Sequence, residues 1–181
     1  LTSIRTVKNY GDWRIAFMGE TYTVGVTTLI ETMKLENCTP NVAVENINIA
    51  QSDINRPALQ LTGYFDYFDN NRIQVIGQVE YTYMEKMGQE YSLGMLEKIM
   101  QHKVPCIVFC RNLPVGDDMI ALAEQYQIPI LRSAKATSGF VAEVIRWLNV
   151  ELGPRMTVHG VLVDVYGEGV LIMGESGIGK S

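Results

Sequence analysis

The sequence predicts an α/β protein in which a parallel sheet covered by helices is followed by the start of a second unit. Three observations predict this arrangement. Short apolar runs typical of buried strands alternate with segments of helical spacing through the middle of the chain. The pattern changes at 152–155, where Gly and Pro follow a helical segment. A glycine-rich motif then follows an apolar run at 169–173.

The predicted elements can be justified in chain order. Apolar residues recur at helical spacing over 26–35, and the alternation at 42–49 predicts a strand. Pro57 marks 52–57 as a loop. Five further elements follow from apolar runs and spacing: strands at 72–76, 105–110 and 129–131, and helices around 93–100 and over 117–126. Thr137 or Ser138 is predicted to cap a last helix, whose apolar face carries Phe140, Val141, Val144, Ile145 and Leu148.

These patterns divide the chain into three parts. Residues 1–21 form an N-terminal extension of uncertain character, and residues 22–152 form the first domain. Residues 155–181 form the start of a second domain, with strands at 156–166 and 170–173 joined by a glycine turn. A unit of this size cannot bury a core of its own. We therefore expect the chain to be the front part of a larger protein, an expectation that the absence of an initiating Met supports.

Composition excludes several classes of protein. The chain of 181 residues is 47% hydrophobic and 19% charged, which is ordinary for a soluble globular protein. Its net charge of −5 and the lack of a basic cluster argue against nucleic acid as a partner. We find neither an apolar run of membrane-spanning length nor a secretory signal. The three cysteines, Cys38, Cys106 and Cys110, lack metal-binding spacing, and a reduced cytoplasmic setting fits best.

The motif at 174–181 has the complete G-x-x-x-x-G-K-[ST] pattern of a phosphate-binding loop. Glycines let successive backbone N–H groups turn inward around phosphate oxygens. The Lys180 ammonium would contact the β- and γ-phosphates, and the Ser181 hydroxyl would ligate Mg²⁺. The alternative is a glycine-rich hairpin turn that happens to contain Lys and Ser. The predicted phosphate-binding residues are Gly174, Glu175, Ser176, Gly177, Ile178, Gly179, Lys180 and Ser181.

His159 is the candidate acid–base residue nearest this loop in the sequence. An antiparallel return of the chain would bring its imidazole towards the loop, where it could shuttle a proton or stabilise a phosphoryl oxygen. From periodicity alone, however, a single His on a strand is more often a structural or surface residue.

Three other features have both a functional and a plain interpretation. Asp53 and Arg56 could face a ligand, but an Asp–Arg pair in a loop is more often a local ion pair. The acidic pair at 117–118 is typical of a helix start rather than a metal site. The aromatic residues at 64, 65, 67 and 68 are not interleaved with basic residues, which favours packing or an interface over stacking on bases.

The sequence resembles bacterial HPr kinase/phosphorylase. The resemblance rests on the segment from His159 through Ser181, on Ser-Asp-Ile-Asn-Arg-Pro-Ala-Leu-Gln-Leu at 52–61 with Gly-Tyr-Phe at 63–65, on Arg-Ile-Gln at 72–74, on 132–140 and on Pro154-Arg155. It spans about residue 22 to residue 181, while residues 1–21 do not look like the family's usual start.

The resemblance implies a Rossmann-like N-terminal domain, similar to the first domain of Mur ligases, ahead of a P-loop kinase domain. It implies a bacterial, cytoplasmic enzyme of carbon catabolite regulation that uses ATP or pyrophosphate, with Mg²⁺, to phosphorylate a serine of the phosphocarrier HPr and also reverses this reaction. His159 and Lys180 would be catalytic, Ser176 would also contact phosphate, and the full-length protein would be a homo-oligomer, a hexamer.

The family's remaining catalytic acids and its HPr-contacting helix lie beyond Ser181, so we expect the chain as given to lack kinase activity. Two other classes of function stay open. In one, residues 22–152 are a metabolite-sensing module attached to a generic P-loop ATPase; in the other, they are an assembly element.

Overall fold

A computed structural model describes residues 22–153, 160–165 and 168–173. The predicted N-terminal extension, residues 1–21, lies outside them. Within the described residues, none of the helices is long and apolar enough to span a membrane. The strands are β1 Val24–Gly25, β2 Glu36–Asn37, β3 Asn48–Ile49, β4 Ile54–Asn55, β5 Ile73–Ile76, β6 Ile107–Phe109, β7 Ile130–Arg132, β8 Gly160–Val165 and β9 Glu168–Met173, and the α-helices are α1 Val26–Met33, α2 Gln78–Met87, α3 Gln89–Gln101, α4 Asp117–Tyr126 and α5 Thr137–Glu151.

In the part of the chain that the structure describes, the central sheet has five strands in the order β2-β7-β6-β5-β4. The last four run parallel to one another, and only β2, at one edge, is antiparallel to its neighbour. The short strands β1 and β3 pair separately and antiparallel. The predicted α/β architecture with a parallel sheet is therefore confirmed.

Helices cover both faces of this sheet because side chains alternate along each buried strand. Along β6, Ile107 and Phe109 pack with residues of α3 and α4, whereas Val108 packs with residues of α1 and α5. Ile76 and Val75 of β5 divide in the same way. The domain is thus three-layered, with α1 and α5 on one face and α2, α3 and α4 on the other.

Several elements agree closely with the sequence-based prediction. The helix over 117–126 has the predicted bounds, and α1 lies within the predicted 26–35. The strand cores at 73–76, 107–109 and 130–132 form where apolar runs were identified. Cys106 and Cys110 are buried, as expected of small hydrophobic residues.

The strand predicted over 42–49 was wrong. A 3₁₀ helix at Val44–Asn46 occupies its middle, and only Asn48–Ile49 forms a strand. The apolar spacing explains the difference: Val44 and Ile47 are three residues apart, so the alternation slips by one residue between them. The 3₁₀ turn absorbs the extra residue, and both side chains still pack against the core.

The predicted cap of α5 was also wrong. Ala136, in extended conformation, is the N-cap, and Thr137 is the first helical residue with no side-chain cap. The Thr137 side chain is buried and forms a hydrogen bond with the Cys110 thiol. Tertiary packing has therefore redirected the hydroxyl that local sequence assigned to the helix terminus.

The chain after residue 160 forms a separate antiparallel hairpin. Strands β8 and β9 pair from Gly160 opposite Met173 to Val165 opposite Glu168. This confirms the predicted pair of strands, although β8 is described from residue 160 rather than 156. The glycine turn was predicted at 167–169; residue 167 lies outside the described part of the chain, whereas residues 168 and 169 belong to β9 rather than to a turn.

Candidate functional site

The predicted phosphate loop and its histidine adjoin the hairpin. Residues 174–181 and His159 lie outside the described residues, so their roles remain predictions. The structure does describe the strands that lead to them: β9 ends at Met173, next to the loop in sequence, and β8 begins at Gly160, next to His159. Gly160 and Met173 pair with each other, so the end of β9 and the start of β8 lie side by side.

A second polar site lies at the carboxyl ends of the parallel strands, where α/β sheets usually bind ligands. Glu80 of α2 is only 3% exposed, yet its Oε2 accepts hydrogen bonds from Arg56 Nη2 at 2.8 Å and from the Gly77 N–H at 2.9 Å. We call Arg56, Gly77, Glu80, Cys110 and Thr137 the carboxyl-edge network.

The ion pair between Asp53 and Arg56 that the sequence favoured was wrong. Arg56 pairs with Glu80, while Asp53 Oδ2 lies 3.8 Å from Arg72 Nη2. The reason is that the predicted loop contains strand β4, which separates the two residues. Asp53 precedes this strand and lies beside the start of β5, and Arg56 follows it and faces α2.

The network also brings together Gly77, Cys110 and Thr137, which lie in three separate segments of the chain. A Cβ atom added at Gly77 would lie 2.6 Å from Thr137 Oγ1, so a side chain there would collide with α5. Burial raises the pKa of the Cys110 thiol to about 11, although the Thr137 hydrogen bond and the nearby Arg56 and Arg111 charges oppose the rise. Cys110 is therefore a neutral packing residue and not a nucleophile at physiological pH.

A buried amide cluster was missed by sequence reasoning. The Asn55 side-chain amide donates to Gln74 Oε1 at 2.7 Å and to Gln60 Oε1 at 3.3 Å. Gln74 lies fully buried in β5 and donates in turn to the Arg72 carbonyl. A polar residue inside the apolar run Ile-Gln-Val-Ile was the available signal, because a buried amide needs partners.

The remaining candidates have structural surroundings that can be described directly. The Phe65 and Phe68 rings pack against His102 with centroids 5.2 and 5.3 Å from it, which confirms packing for these two aromatic residues. Tyr64 and Tyr67 are exposed. The acidic pair 117–118 lies in the first turn of α4, as predicted. Among the described residues, no group of three or more His, Cys, Asp or Glu side chains could hold a metal ion.

Fold and motif together define a class of protein, a three-layer α/β domain followed by a hairpin that leads into a phosphate-loop motif. The chain belongs to the HPr serine kinase family. The family model described as HPr Serine kinase N terminus matches residues 24–148, and the model of the HPr Serine kinase C-terminal domain matches residues 150–181.

Individual relatives agree with this assignment. The chain is 60% identical over 160 residues to the HPr kinase/phosphorylase of Lachnoclostridium phytofermentans, covering 88% of this chain and 52% of that protein. It is 43% identical over 159 residues to that of Streptococcus uberis, covering 88% and 51%. The chain thus spans about half the length of the curated relatives it matches.

A likeness to one solved structure is slight. The crystal structure of the CBS and DRTGG domains of the regulatory region of Clostridium perfringens pyrophosphatase, complexed with diadenosine tetraphosphate, matches 67% of this chain and 45% of that chain. The sequence identity is 12% and the TM-score 0.47, too low to bear on the fold or the function.

Proposed function

We propose that this chain supplies the N-terminal domain and the first part of the catalytic domain of a bifunctional kinase/phosphorylase that acts on HPr. The observation that carries the proposal is the family match on both sides of residue 149, together with the complete phosphate-loop motif at 174–181. The domain boundary near 153–154 is part of this proposal.

The forward reaction would transfer a phosphoryl group to a serine of HPr. The serine hydroxyl oxygen attacks the γ-phosphorus of ATP, or one phosphorus of pyrophosphate, as the bond to the leaving phosphate oxygen breaks and the serine proton is lost. In reverse, an oxygen of inorganic phosphate attacks the phosphorus of phosphoserine as the bond to the serine oxygen breaks. Pyrophosphate is released, and the serine oxygen regains its proton. Both directions demand positioning and neutralisation of charge more than covalent chemistry by the protein.

The phosphate loop suits both directions because each has ATP or pyrophosphate as a substrate or a product. Backbone N–H groups of residues 174–181 would hold the phosphate oxygens, and the Lys180 ammonium would neutralise charge on the transferred group. The Ser181 hydroxyl is a hard oxygen ligand of the kind Mg²⁺ prefers, and Mg²⁺ when bound would offset phosphate charge.

Chain connectivity supports a role for His159. Gly160 pairs with Met173, His159 directly precedes Gly160, and Gly174 directly follows Met173. His159 and Gly174 therefore both adjoin, along the chain, the same paired end of the hairpin. We propose that the imidazole exchanges the serine proton or stabilises a phosphoryl oxygen at the loop.

The test is phosphoryl transfer by the product of the gene that encodes this chain. Purified HPr, Mg²⁺ and either ATP or pyrophosphate should give phosphoserine-HPr, and phosphoserine-HPr with inorganic phosphate should release pyrophosphate. Lys180→Ala should lower both rates by about 100-fold or more, and His159→Ala by a comparable factor. Arg146→Gln is the matched control, since Arg146 is an exposed cation on α5.

Two outcomes would contradict the proposal. ATP hydrolysis without phosphorylation of HPr would favour a metabolite-sensing domain attached to a generic P-loop ATPase. Full activity of Lys180→Ala would remove the phosphate loop from the mechanism. Light scattering of the same gene product tests the proposed hexamer, and a strict monomer would contradict it.

A further inference from the structure

A cleft of about 330 Å³ lies between α2, α3 and α4 and contains no residue of the carboxyl-edge network. Tyr81, Met84, Leu93 and Met119 supply apolar surface in its lining, and Glu85 and Asp118 supply the carboxylates. Its volume falls at the lower end of the range for small-molecule sites, about 300–1,000 Å³. We call it the helix cleft.

The helix cleft exists because the chain turns sharply between α2 and α3. Gly88 has φ 88° and ψ 162°, a backbone conformation available almost only to glycine. The Ser92 N–H donates to the Gly88 carbonyl at 3.1 Å, and the Ser92 hydroxyl donates to the Met84 carbonyl at 2.7 Å. The Gln89 side chain donates to Asp118 of α4. Hydrogen bonds therefore connect α3 both to α2 and to α4 at the walls of the cleft.

Charge decides which class of ligand fits. Glu85 and Asp118 line the helix cleft, and no Lys or Arg among the described residues lines it. Glu85 and Asp118 are both exposed to solvent, and the Asp118 carboxylate accepts a hydrogen bond from the Gln89 side chain. An anionic ligand such as a sugar phosphate would be repelled by both carboxylates, whereas a cation would be attracted by both.

We propose that the helix cleft binds a small organic cation, an ammonium or guanidinium group on an aromatic or aliphatic body. The cationic group would lie near Glu85 and Asp118, and the body would pack on Met84, Leu93 and Met119. The Tyr81 ring adds an aromatic face of the kind that attracts cations. The volume equals about eleven water molecules at ~30 Å³ each, enough for one ring with a short side chain.

The probes are three compounds that share a ring and differ in charge: benzylamine, benzyl alcohol and benzoate. Each is titrated into the ¹⁵N-labelled 181-residue chain while amide chemical shifts are followed. We expect shifts concentrated in α2, the start of α3 and the start of α4. Benzylamine should bind about tenfold more tightly than benzyl alcohol, benzoate should bind least, and added salt should weaken benzylamine binding.

Three variants separate the site from general surface effects. Glu85→Gln should weaken benzylamine binding about five- to tenfold, and Leu93→Trp should abolish binding of all three compounds by filling the cleft. Glu31→Gln is the matched control, because Glu31 is an exposed acid on α1 at the opposite face of the sheet. Its binding should equal that of the unchanged chain.

The proposal is overturned if the three compounds bind equally, if none shifts the cleft amides, or if Glu31→Gln weakens binding as much as Glu85→Gln. Tighter binding of a phosphorylated sugar at the same amides would also overturn it. The result is independent of the proposed phosphotransferase activity, because Lys180→Ala should leave benzylamine binding unchanged.

Discussion

The carboxyl-edge network and the helix cleft share one helix but treat their carboxylates in opposite ways. Glu80 is buried and its charge is balanced by Arg56 and the Gly77 N–H. Glu85, on the same helix, lies exposed at the rim of a cleft whose described lining residues include no basic side chain. A carboxylate that is already paired holds the fold together, whereas one that lines a cleft with no basic side chain among its described lining residues remains available to a ligand.

The largest expected effect comes from removing the paired carboxylate. Glu80→Ala leaves the Gly77 N–H without its acceptor and Arg56 without its partner, so we expect the free energy of unfolding to fall by about 2–3 kcal/mol. The value is below that of a fully buried pair because the Arg56 side chain is 46% exposed and can reach water. Urea unfolding measures it. Glu85→Ala is the matched control and should change the free energy of unfolding by less than about 0.5 kcal/mol. Equal losses in the two variants would contradict the claim that Glu80 stabilises the fold and Glu85 does not.

The next effect tests whether the helix cleft depends on backbone geometry. Gly88→Ala forces a side chain into a conformation that costs about 1–3 kcal/mol, although a Cβ atom there would meet no atom within 4 Å. We expect a loss of about 2 kcal/mol in urea unfolding and weaker benzylamine binding. Unchanged stability and binding would show that the turn at Gly88 does not shape the cleft.

A third measurement tests how completely the network excludes charge. The pKa of Cys110 is raised from 9.0 to about 11 by burial, so the unfolded chain loses the thiol proton before the folded chain does. Stability from this group is therefore complete below pH 9 and is lost as the pH rises to 11, with a slope near 1.4 kcal/mol per pH unit in that window. Urea unfolding of the chain and of Cys110→Ala between pH 8 and 11 compares the slopes, which should differ by about that amount; parallel slopes would contradict the assignment.

The smallest effect has the opposite sign and serves as the partner of the Gly88 experiment. Gly94 lies inside α3, where its φ is not positive and a Cβ atom would also meet open space. Gly94→Ala should raise stability by about 0.5–1 kcal/mol, because alanine loses less conformational entropy in a helix. A thermal unfolding curve shifted upwards would support this, and destabilisation would mean that α3 needs glycine for packing.

Elements buried on regular faces could be predicted from the sequence. The period of the apolar residues gave α4 its bounds and located β5, β6 and β7, because burial imposes a repeat that local sequence displays. The prediction was wrong over 42–49, where one slip in the alternation converts a strand into a 3₁₀ turn. The hydrogen bonds of Asn55 with Gln74, of Arg56 with Glu80 and of Thr137 with Cys110 could not be predicted, since the two residues of each pair lie 19 or more positions apart along the chain.

By itself, the sequence determined the α/β class, the phosphate-loop motif at 174–181 and the resemblance to the HPr kinase family, because these depend on residues that are neighbours or regularly spaced. Only the tertiary structure decided that Arg56 pairs with Glu80 instead of Asp53, and that the chain turn at Gly88 lies beside a cleft whose described lining includes acidic side chains and no basic ones. The physical reason is distance along the chain. Ion pairs and clefts join segments that folding brings together, and the strength of a charge interaction depends on separation in space.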